Sequence, residues 1–396
     1  MHRPTLLLTA GGCLTDASPL RVLFCLDNLG IGGTELNAVR TAEALDPERV
    51  DLTLALLGAD GELRARYEQI GVPIHGFPLG SLGSRRALSE GRRFARFLRS
   101  ERIDVVHCHD MYSNVFASVA ARAAGVPGII VSRRWSDRLP QPTLRFANRM
   151  AYRLGHRVLA NSGAVAESLV ADEGVRRERV VVVPNFVEEG AFAAPDPAGR
   201  AARRAELGAE PGDTVIGVVA RLAAVKDHAT MLRAFALLAP RYPRLRLALV
   251  GDGPERQRLE ALAAELGIAG TVTFAGTRPN RPNLHHLFDV SALSSVSEGF
   301  PNSVVEAMAA RRPIVATAVG GTPDAIAHED TGLLVPPGDA PALAAGIARM
   351  LEDPDAAARM GAAAEARARR EYAERSVIAR LVTLYEQLSG RNARRR

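Results

Sequence analysis

One pattern recurs through most of this chain: a short apolar run, a glycine-rich turn and an amphipathic helix. Helical spacing is clearest in Glu35–Ala44 and Ser89–Ser100. Short, continuous apolar runs that alternate with helices indicate parallel strands covered on both faces of a sheet. The predicted strands are Arg21–Leu26, Leu52–Leu57, Val105–His107, Gly128–Val131, Val158–Ala160, Val180–Val183, Thr214–Val219, Arg246–Val250, Val272–Phe274, Asp289–Leu293, Pro313–Ala316 and Gly332–Val335. The pattern therefore predicts an α/β fold.

The repeats fall into two halves, separated by a stretch without periodicity at residues 188–199 that is rich in Pro, Ala and Gly. A chain of 396 residues exceeds one ordinary core and suits two domains of about 150–200 residues each. We therefore predict two doubly wound, Rossmann-like domains that face each other across a cleft. Ligands of such sheets bind beyond the carboxyl ends of the strands, so the cleft is the expected site.

Composition excludes several other classes of protein. Apolar content of 47% and charged content of 24% are those of a globular protein, and no run approaches the roughly 18 apolar residues of a membrane span. Cys13, Cys25 and Cys108 are too few and too scattered for a disulfide framework, which favours a reducing, cytoplasmic location. The net charge of +6 is spread over both halves and predicts no nucleic-acid partner. Residues 1–19 are interpreted as a disordered leader, because their apolar core is shorter than that of a signal peptide.

Lys226 is the only lysine among fifty basic Lys and Arg residues, and it lies shortly after a predicted buried strand. An ammonium group is a compact, mobile charge that suits a phosphate oxygen or, when its pKa is lowered, a Schiff base. A single lysine also has to fall somewhere, so its isolation alone leaves chance open.

Arginines gather in two places in the first half of the chain. Seven lie in Arg85–Arg102, interleaved with Leu and Phe at helical spacing, and seven lie in Arg133–Arg157, together with Trp135 and Phe146. Either cluster fits a solvated helix face. Either also fits a surface that rests on anionic lipid, where each basic residue adds roughly 1 kcal/mol. An anionic membrane surface is thus one expected partner, with the protein peripheral on its inner face.

The densest group of polar residues is the segment 297–308, which follows a predicted strand and begins a helix. Glu298 falls on the loop, and Glu306 falls on the first turns of the helix. Asn302 or Ser303 can cap that helix, whose free N–H groups then bind phosphate in the cleft. A carboxylate such as Glu306 can accept two hydrogen bonds from a ribose diol. The alternative is a helix with an incidental capping sequence.

Glu298 and Glu306 together resemble the E-x7-E motif of the retaining glycosyltransferases of family 4, which have the two-domain GT-B architecture. The resemblance extends from about Arg21 to Tyr385. It includes Arg221 with Lys226, which is similar to the family's diphosphate-binding R-x4-K element, and it continues in Leu249–Pro254, Val272–Gly276, Ala318–Pro323 and Val183–Asn185.

The resemblance implies a role for each residue of this set. Arg221 and Lys226 would neutralise the diphosphate of a nucleotide sugar, and Glu306 would hold its ribose. Glu298 would act on the donor sugar, as catalytic residue, together with the loop Gly299, Phe300, Pro301, Asn302 and Ser303.

A leaving nucleoside diphosphate develops negative charge, which the enzyme must stabilise. Two cations and a helix terminus can replace a metal in that role, so no metal and no other cofactor is expected. The one Asp-x-Asp pair, Asp353 and Asp355, flanks Pro354 and predicts the N-terminus of a late helix.

The segment Leu29–Glu35 follows a strand and begins a helix, but Glu35 occupies the place of the third glycine of a dinucleotide fingerprint. It resembles the family's N-terminal glycine loop, in which the amides of Gly32 and Gly33 would approach the donor phosphates. A purely structural tight turn is the alternative.

His107 and His109 end a predicted strand and face the same side of it. Two such histidines make a metal site conceivable, but no third ligand with suitable spacing is visible. The resemblance gives His109 a catalytic place near the donor sugar and the acceptor, with His107 packed or hydrogen-bonded behind it. A structural role for His109 stays open.

By the same resemblance, residues 1–190 form an acceptor domain and residues 191–372 a donor domain. Residues 373–396 would form a helix that packs back on the first domain and ends in a basic tail. The expected activity is retaining, metal-independent transfer of a sugar from a UDP, GDP or similar donor to a hydroxyl of a lipid-linked or soluble glycan, in polysaccharide or glycolipid biosynthesis.

We expect attack on the front face of the sugar, because no carboxylate is clearly placed as a nucleophile. Three alternatives remain at this point. They are a phosphorylase that holds pyridoxal phosphate on Lys226, a nucleotide-sugar 2-epimerase, and a non-catalytic scaffold that binds a nucleotide sugar.

Overall fold

A computed structural model describes residues 18–135, 141–278 and 283–390 of the chain. Almost all of the predicted leader lies outside these residues, and so do Arg138 and the basic tail from residue 391 onwards. Within the described ranges, no helix combines the length and apolar character that a membrane crossing requires.

The first domain is a parallel sheet covered by helices. Its described strands, in the order β3-β2-β1-β4-β5-β6-β7, follow the doubly wound arrangement of dinucleotide-binding folds. The strands are β1 (Leu20–Leu26), β2 (Val50–Leu56), β3 (Ile74–Gly76), β4 (Val105–Cys108), β5 (Gly128–Arg133), β6 (Arg157–Ala160) and β7 (Val180–Val182). The helices are α1 (Gly33–Ala44), α2 (Arg64–Gln69), α3 (Arg85–Ser100), α4 (Met111–Ala124), α5 (Pro142–Leu154) and α6 (Gly163–Ala171).

The second domain repeats this plan, with strands in the order β10-β9-β8-β11-β12-β13, again all parallel. The strands are β8 (Thr214–Val219), β9 (Leu245–Val250), β10 (Val272–Gly276), β11 (Val290–Leu293), β12 (Ile314–Thr317) and β13 (Leu333–Val335). The helices are α7 (Pro197–Ala205), α8 (His228–Leu238), α9 (Arg256–Glu265), α10 (Asn302–Ala309), α11 (Thr322–Ala325), α12 (Ala340–Glu352), α13 (Pro354–Glu371) and α14 (Glu374–Leu388).

Strand β1 shows why the apolar runs are continuous. Successive side chains of a strand point to opposite faces of the sheet. Val22 and Phe24 belong to the core under α1, whereas Leu23 and Cys25 belong to the core under α3 and α4. Because both faces are covered, neither set can be polar.

Helix α14 follows the second domain in sequence but packs on the first. Val377, Leu381 and Tyr385 are buried in the same core as Val22 and Phe24 of β1. The chain leaves the first domain near Val187 and returns to it near Ala373. These two segments lie side by side, joined by a bridge of backbone hydrogen bonds.

The predicted α/β fold with two Rossmann-like domains is confirmed, and each predicted strand is present with small differences at its ends. The sequence missed β3, a three-residue edge strand that is only partly buried. Helix α3 begins four residues earlier than predicted, because the Ser84 side chain accepts a hydrogen bond from the Ala87 amide and caps it. The predicted linker, residues 188–199, contains a 3-10 turn at Glu189–Phe192 and the start of α7. The part of it without regular structure is therefore shorter than predicted.

Candidate active site

A cavity of about 430 Å³ lies between the two domains, at the carboxyl ends of both sheets. Its walls follow the ends of β1, β5 and β6 in the first domain and of β8 and β11 in the second. The sequence-predicted residues that line it are Gly33, Arg221, Lys226, Glu298, Gly299, Phe300, Pro301, Asn302, Ser303 and Glu306.

Lys226 ends a single 3-10 turn, Ala224–Lys226, that comes after β8. Its carbonyl oxygen accepts a hydrogen bond of 3.0 Å from the Ser294 hydroxyl, which ties the turn to the end of β11. The next residue, Asp227, has a left-handed φ of 42° and caps α8 through its side chain. The turn is therefore held from both sides, and the Lys226 ammonium projects into the cavity.

The Lys226 Nζ atom lies 2.6 Å from Glu298 Oε1, in an ion pair on the second-domain wall. Glu298 is only 7% exposed, and the same Oε1 atom accepts a hydrogen bond from the Ser295 hydroxyl. A buried carboxylate needs such partners, because unpaired burial of a charge is costly. Arg221 is exposed at the mouth of the same wall.

Two glycines permit the loop of Glu298 to lie where it does. A Cβ atom at Gly320, which has a left-handed φ of 49°, would lie 1.6 Å from the Glu298 carbonyl oxygen. A Cβ atom at Gly299 would lie 2.1 Å from the carbonyl oxygen of Arg134 in the first domain. Both positions exclude any side chain, and at Gly299 the loop lies directly against the backbone of the first domain.

Helix α10 begins at Asn302, and its N-cap residue is Pro301, without a capping side chain. The prediction that Asn302 or Ser303 caps this helix is therefore wrong. The Asn302 Oδ1 atom instead accepts a hydrogen bond of 2.7 Å from Asn185 Nδ2 of the first domain. The amides of Asn302 and Ser303 precede the first hydrogen bond of the helix, which the Val304 amide donates to Pro301.

Glu306 lies one turn further along α10, on the cavity surface. Its Oε1 atom lies 3.5 Å from Nη1 of Arg40, on α1 of the first domain, and Arg40 also pairs with Glu188 at 3.0 Å. Burial raises the pKa of Glu306, and the nearby Arg40 partly offsets this effect. The neighbouring His285 is neutral, since burial lowers its pKa to about 3.

His107 and His109 form a stacked pair whose ring centroids are 4.1 Å apart. Both are fully buried, and burial lowers the pKa of each well below 6.5. His107 makes hydrogen bonds to the Tyr385 hydroxyl on α14 (2.8 Å) and to the Ser132 hydroxyl (3.0 Å). Neither ring nitrogen of His109 has a hydrogen-bond partner among the residues that the structure describes.

His109 and Gly32 are not among the residues that line the cavity: His109 is fully buried, and Gly32 directly precedes Gly33, which does line it. The expected position of His107 behind His109 agrees with its hydrogen bonds, whereas His109 itself does not reach the cavity surface. Its catalytic role stays a prediction.

The second arginine cluster, Arg133–Arg157, was considered above as a surface that could rest on a membrane. At least two of its arginines do not face outwards. Arg133 is 1% exposed and pairs with the buried Glu173 at 3.3 Å. Arg134 lines the cavity, donates a hydrogen bond of 3.2 Å to Asn185 Oδ1, and has a pKa that burial lowers to about 10.

Sequence reasoning did not assign five polar residues of the first-domain wall to the site: Thr34, Arg40, Arg134, Asn161 and Asn185. Asn161 and Arg134 each directly follow a strand, β6 and β5, and this position at the carboxyl edge of the sheet was an available signal. Arg40 carries no comparable signal, because it lies in the middle of α1.

No cluster of three or more His, Cys, Asp or Glu side chains suited to a metal ion occurs within residues 18–135, 141–278 and 283–390. The cationic side chains that line the cavity are Arg40 and Arg134 of the first domain and Arg221 and Lys226 of the second, and its carboxylates are Glu298 and Glu306 of the second domain.

Comparison with known proteins gives consistent matches across the chain. Residues 31–190 match the model described as glycosyltransferase family 4, and residues 199–367 match that described as glycosyl transferases group 1. The 2-deoxystreptamine glucosyltransferase of Streptomyces kanamyceticus is 31% identical over 348 residues, which cover 81% of this chain and 90% of that protein.

A D-inositol 3-phosphate glycosyltransferase of Thermobispora bispora is 31% identical over 305 residues, covering 72% of this chain and 70% of the relative. Among solved structures, Anabaena Alr3699/HepE in complex with UDP superposes with a TM-score of 0.83 at 25% identity, covering 93% of this chain and 100% of that one.

Proposed function

Because the chain belongs to the group 1, family 4 glycosyltransferases and is an enzyme that transfers sugars, we propose that its donor is a nucleoside diphosphate sugar bound in the interdomain cavity. We further propose that transfer to an acceptor hydroxyl retains the configuration of the sugar and needs no metal. The observation that carries this proposal is the convergence of Arg221, Lys226, the start of α10 and Glu306 on one cavity.

Each group of this set suits one part of the donor. Arg221, Lys226 and the amides at the start of α10 offer positive charge for a diphosphate. Glu306 offers two carboxylate oxygens for a ribose diol, and Glu298 offers an acceptor for sugar hydroxyls beside Lys226. The HepE structure, which holds UDP, supports a uridine nucleotide as the first donor to test.

The position of the carboxylates supports attack on the front face of the sugar. Glu298 and Glu306, the carboxylates that line the described cavity, both belong to the second domain, next to the groups assigned to the diphosphate. Among the described residues, the first-domain wall offers one glycine, a threonine, a leucine, two arginines and two asparagines, and so no carboxylate nucleophile on the opposite side. In the proposed step the acceptor oxygen bonds to the anomeric carbon, the bond to phosphate breaks, and the acceptor proton passes to the departing phosphate oxygen.

The metal-free proposal rests on electrostatics. Departure of the diphosphate places negative charge beside Arg221, Lys226 and the α10 N-terminus; the turn that carries Lys226 and the start of α10 are already formed by the fold. Preorganised charges of this kind are a large source of transition-state stabilisation.

A donor panel tests the proposal directly. UDP-, GDP-, ADP- and dTDP-sugars should be compared for the rise in melting temperature, because a ligand at 100 times its Kd stabilises a protein by about 2.7 kcal/mol. The matching donor should then yield free nucleoside diphosphate and a product whose anomeric NMR coupling equals that of the donor. An inverted anomeric coupling would refute retention, and no stabilisation by any nucleotide sugar would refute the donor assignment.

Arg233→Gln is a suitable control variant. Arg233 is an exposed arginine on α8 that does not line the cavity, and its loss should leave the donor response unchanged.

A further inference from the structure

Helices α3 and α4 enclose a second cavity, an open groove of about 540 Å³ on the outside of the first domain. We propose that this groove holds the hydrocarbon chain of a lipid-linked acceptor, with an anionic headgroup held by the arginines at its rim. The proposal rests on the proposed function and names the class of acceptor that the enzyme uses.

The walls of the groove are almost entirely apolar. Leu82 and Leu88 line it from the α3 side, and Val115, Phe116 and Val119 line it from α4. Leu88 and Val119 are 59% and 55% exposed, although both are large aliphatic residues. A hydrocarbon chain would remove this surface from water and gain the free energy of burying its own methylene groups.

Gly91 keeps the groove open near the middle of α3. A Cβ atom there would meet only the Phe116 ring, at 3.8 Å, so packing of the two helices does not require a glycine. Glycine within a helix costs roughly 0.5–1 kcal/mol relative to alanine. The missing side chain leaves room at the floor of the groove.

The charge at the rim selects the headgroup. Arg85 and Arg92 line the groove, Arg86 and Arg96 are exposed on the same helix, and none of the four has an ion-pair partner among the described residues. Arg93 differs from them, because it pairs with Glu90 and lies over the Phe77 ring. Unpaired guanidinium groups beside an apolar groove complement an amphiphile whose headgroup is a phosphate.

The groove begins at the edge of the sheet that also carries the donor cavity. Along the chain α3 follows β3 and α4 follows β4, and only two residues separate the end of β4 from the start of α4. The start of α4 is fixed there by Asp27, at the end of β1, which accepts hydrogen bonds from the Tyr112 and Ser113 amides. An acceptor with its chain in the groove would thus have its polar end on the cavity side of the domain.

The test uses dodecyl phosphate as the probe, below its micelle concentration, with inorganic phosphate as the comparison. Calorimetric titration of the full chain should show that dodecyl phosphate binds and that inorganic phosphate does not. Gly91→Leu, which fills the groove, should weaken the binding of dodecyl phosphate by about 10-fold or more, since several methylene groups of the probe lose their contacts. Arg85→Gln/Arg92→Gln should weaken it by a similar factor.

Two matched controls make these results specific. Gly91→Ala adds only the Cβ that the structure accommodates, and it should bind the probe as the wild-type chain does. Arg233→Gln/Arg359→Gln removes two exposed arginines from the second domain and should also leave binding unchanged. Nucleotide-sugar binding should be unaltered in all variants, so that a loss of donor binding reports on the proposed function and not on the groove.

Three results would overturn the inference. They are failure of dodecyl phosphate to bind the wild-type chain, equal binding to the Gly91→Leu variant, and equal affinity for inorganic phosphate. Vesicles of phosphatidylcholine with and without phosphatidylglycerol give a second readout. Sedimentation with the anionic vesicles alone, lost in Arg85→Gln/Arg92→Gln, supports a lipid, whereas equal sedimentation of that variant contradicts it.

Discussion

The second-domain wall of the donor cavity presents its ionic groups directly to the cavity, on the loops that follow β8 and β11 and on helix α10. The first-domain wall keeps its most unusual polar groups, His107 and His109, fully buried and neutral behind that surface. Groups at the surface can change partners when a ligand arrives, whereas groups in the interior are fixed by packing. We therefore expect changes on the second-domain wall to act on chemistry, and changes behind the first-domain wall to act mainly on stability.

Lys226→Ala should have the largest effect on turnover. A charge pair at about 4 Å in an effective dielectric near 20 is worth up to roughly 4 kcal/mol, so the rate should fall by about 30- to 1000-fold. The fold should survive, as circular dichroism would show. Because the change also leaves Glu298 without its ammonium partner, the double variant Lys226→Ala/Glu298→Gln separates the two causes. Activity equal to wild type in Lys226→Ala would remove the lysine from the reaction.

Glu306→Gln should weaken the binding of the donor by about 10- to 100-fold, because hydrogen bonds to charged groups contribute about 1.5–3 kcal/mol. The effect should appear in the KM for the donor rather than in kcat, since the ribose is remote from the bond that breaks. Glu188→Gln is the matched control, because Glu188 pairs with the same Arg40 but does not line the cavity. Equal effects of the two changes would mean that only the Arg40 ion pairs matter.

Tyr385→Phe should lower stability more than turnover, which is the opposite of the effect expected for Lys226→Ala. It removes the hydroxyl bonded to His107 and leaves a buried ring nitrogen unpaired, which costs about 1–3 kcal/mol of unfolding free energy. Turnover should fall less than about 10-fold, since the change lies behind the cavity wall. Urea denaturation measures the first quantity. Tyr372→Phe provides a comparison within the second domain, where the hydroxyl donates to the Asp324 carbonyl.

If Tyr385→Phe lowered turnover strongly without loss of stability, the histidine pair would be part of the reaction centre. That result would contradict the division between the two walls and favour the catalytic role predicted for His109.

Chelation should have the smallest effect of all. If the protein's own cations stabilise the diphosphate, activity in EDTA should stay near its value in Mg²⁺. Loss of most activity in EDTA, with recovery on adding Mg²⁺ or Mn²⁺, would assign the charge stabilisation to a metal.

The same two walls show what the sequence alone could predict. Arg221, Lys226 and Glu298–Glu306 were predicted because each follows a strand within a short segment, so their neighbours along the chain are also their neighbours in space. The fold was predictable for a related reason, since continuous apolar runs such as β1 report directly on burial of both faces.

Contacts between distant segments were not predictable in this way. Arg40 reaches Glu306 across 266 positions of sequence, and Asn185 reaches Asn302 across 117. The capping prediction for Asn302 failed for the same reason, because its side chain accepts a hydrogen bond from Asn185 of the other domain. The depth of His109 also depends on the Phe24 ring that packs against it from β1, at a centroid distance of 4.6 Å, a contact between distant segments that no local pattern reports.

The return of α14 to the first domain has a consequence for biosynthesis. The core beneath α1 uses Val377, Leu381 and Tyr385, so residues 18–190 cannot complete that core while the ribosome is still translating the second domain. An early, unfinished first domain would expose part of β1 and β5 until the final helix emerges. The second domain can close its own sheet first, so the order of folding would run against the order of synthesis.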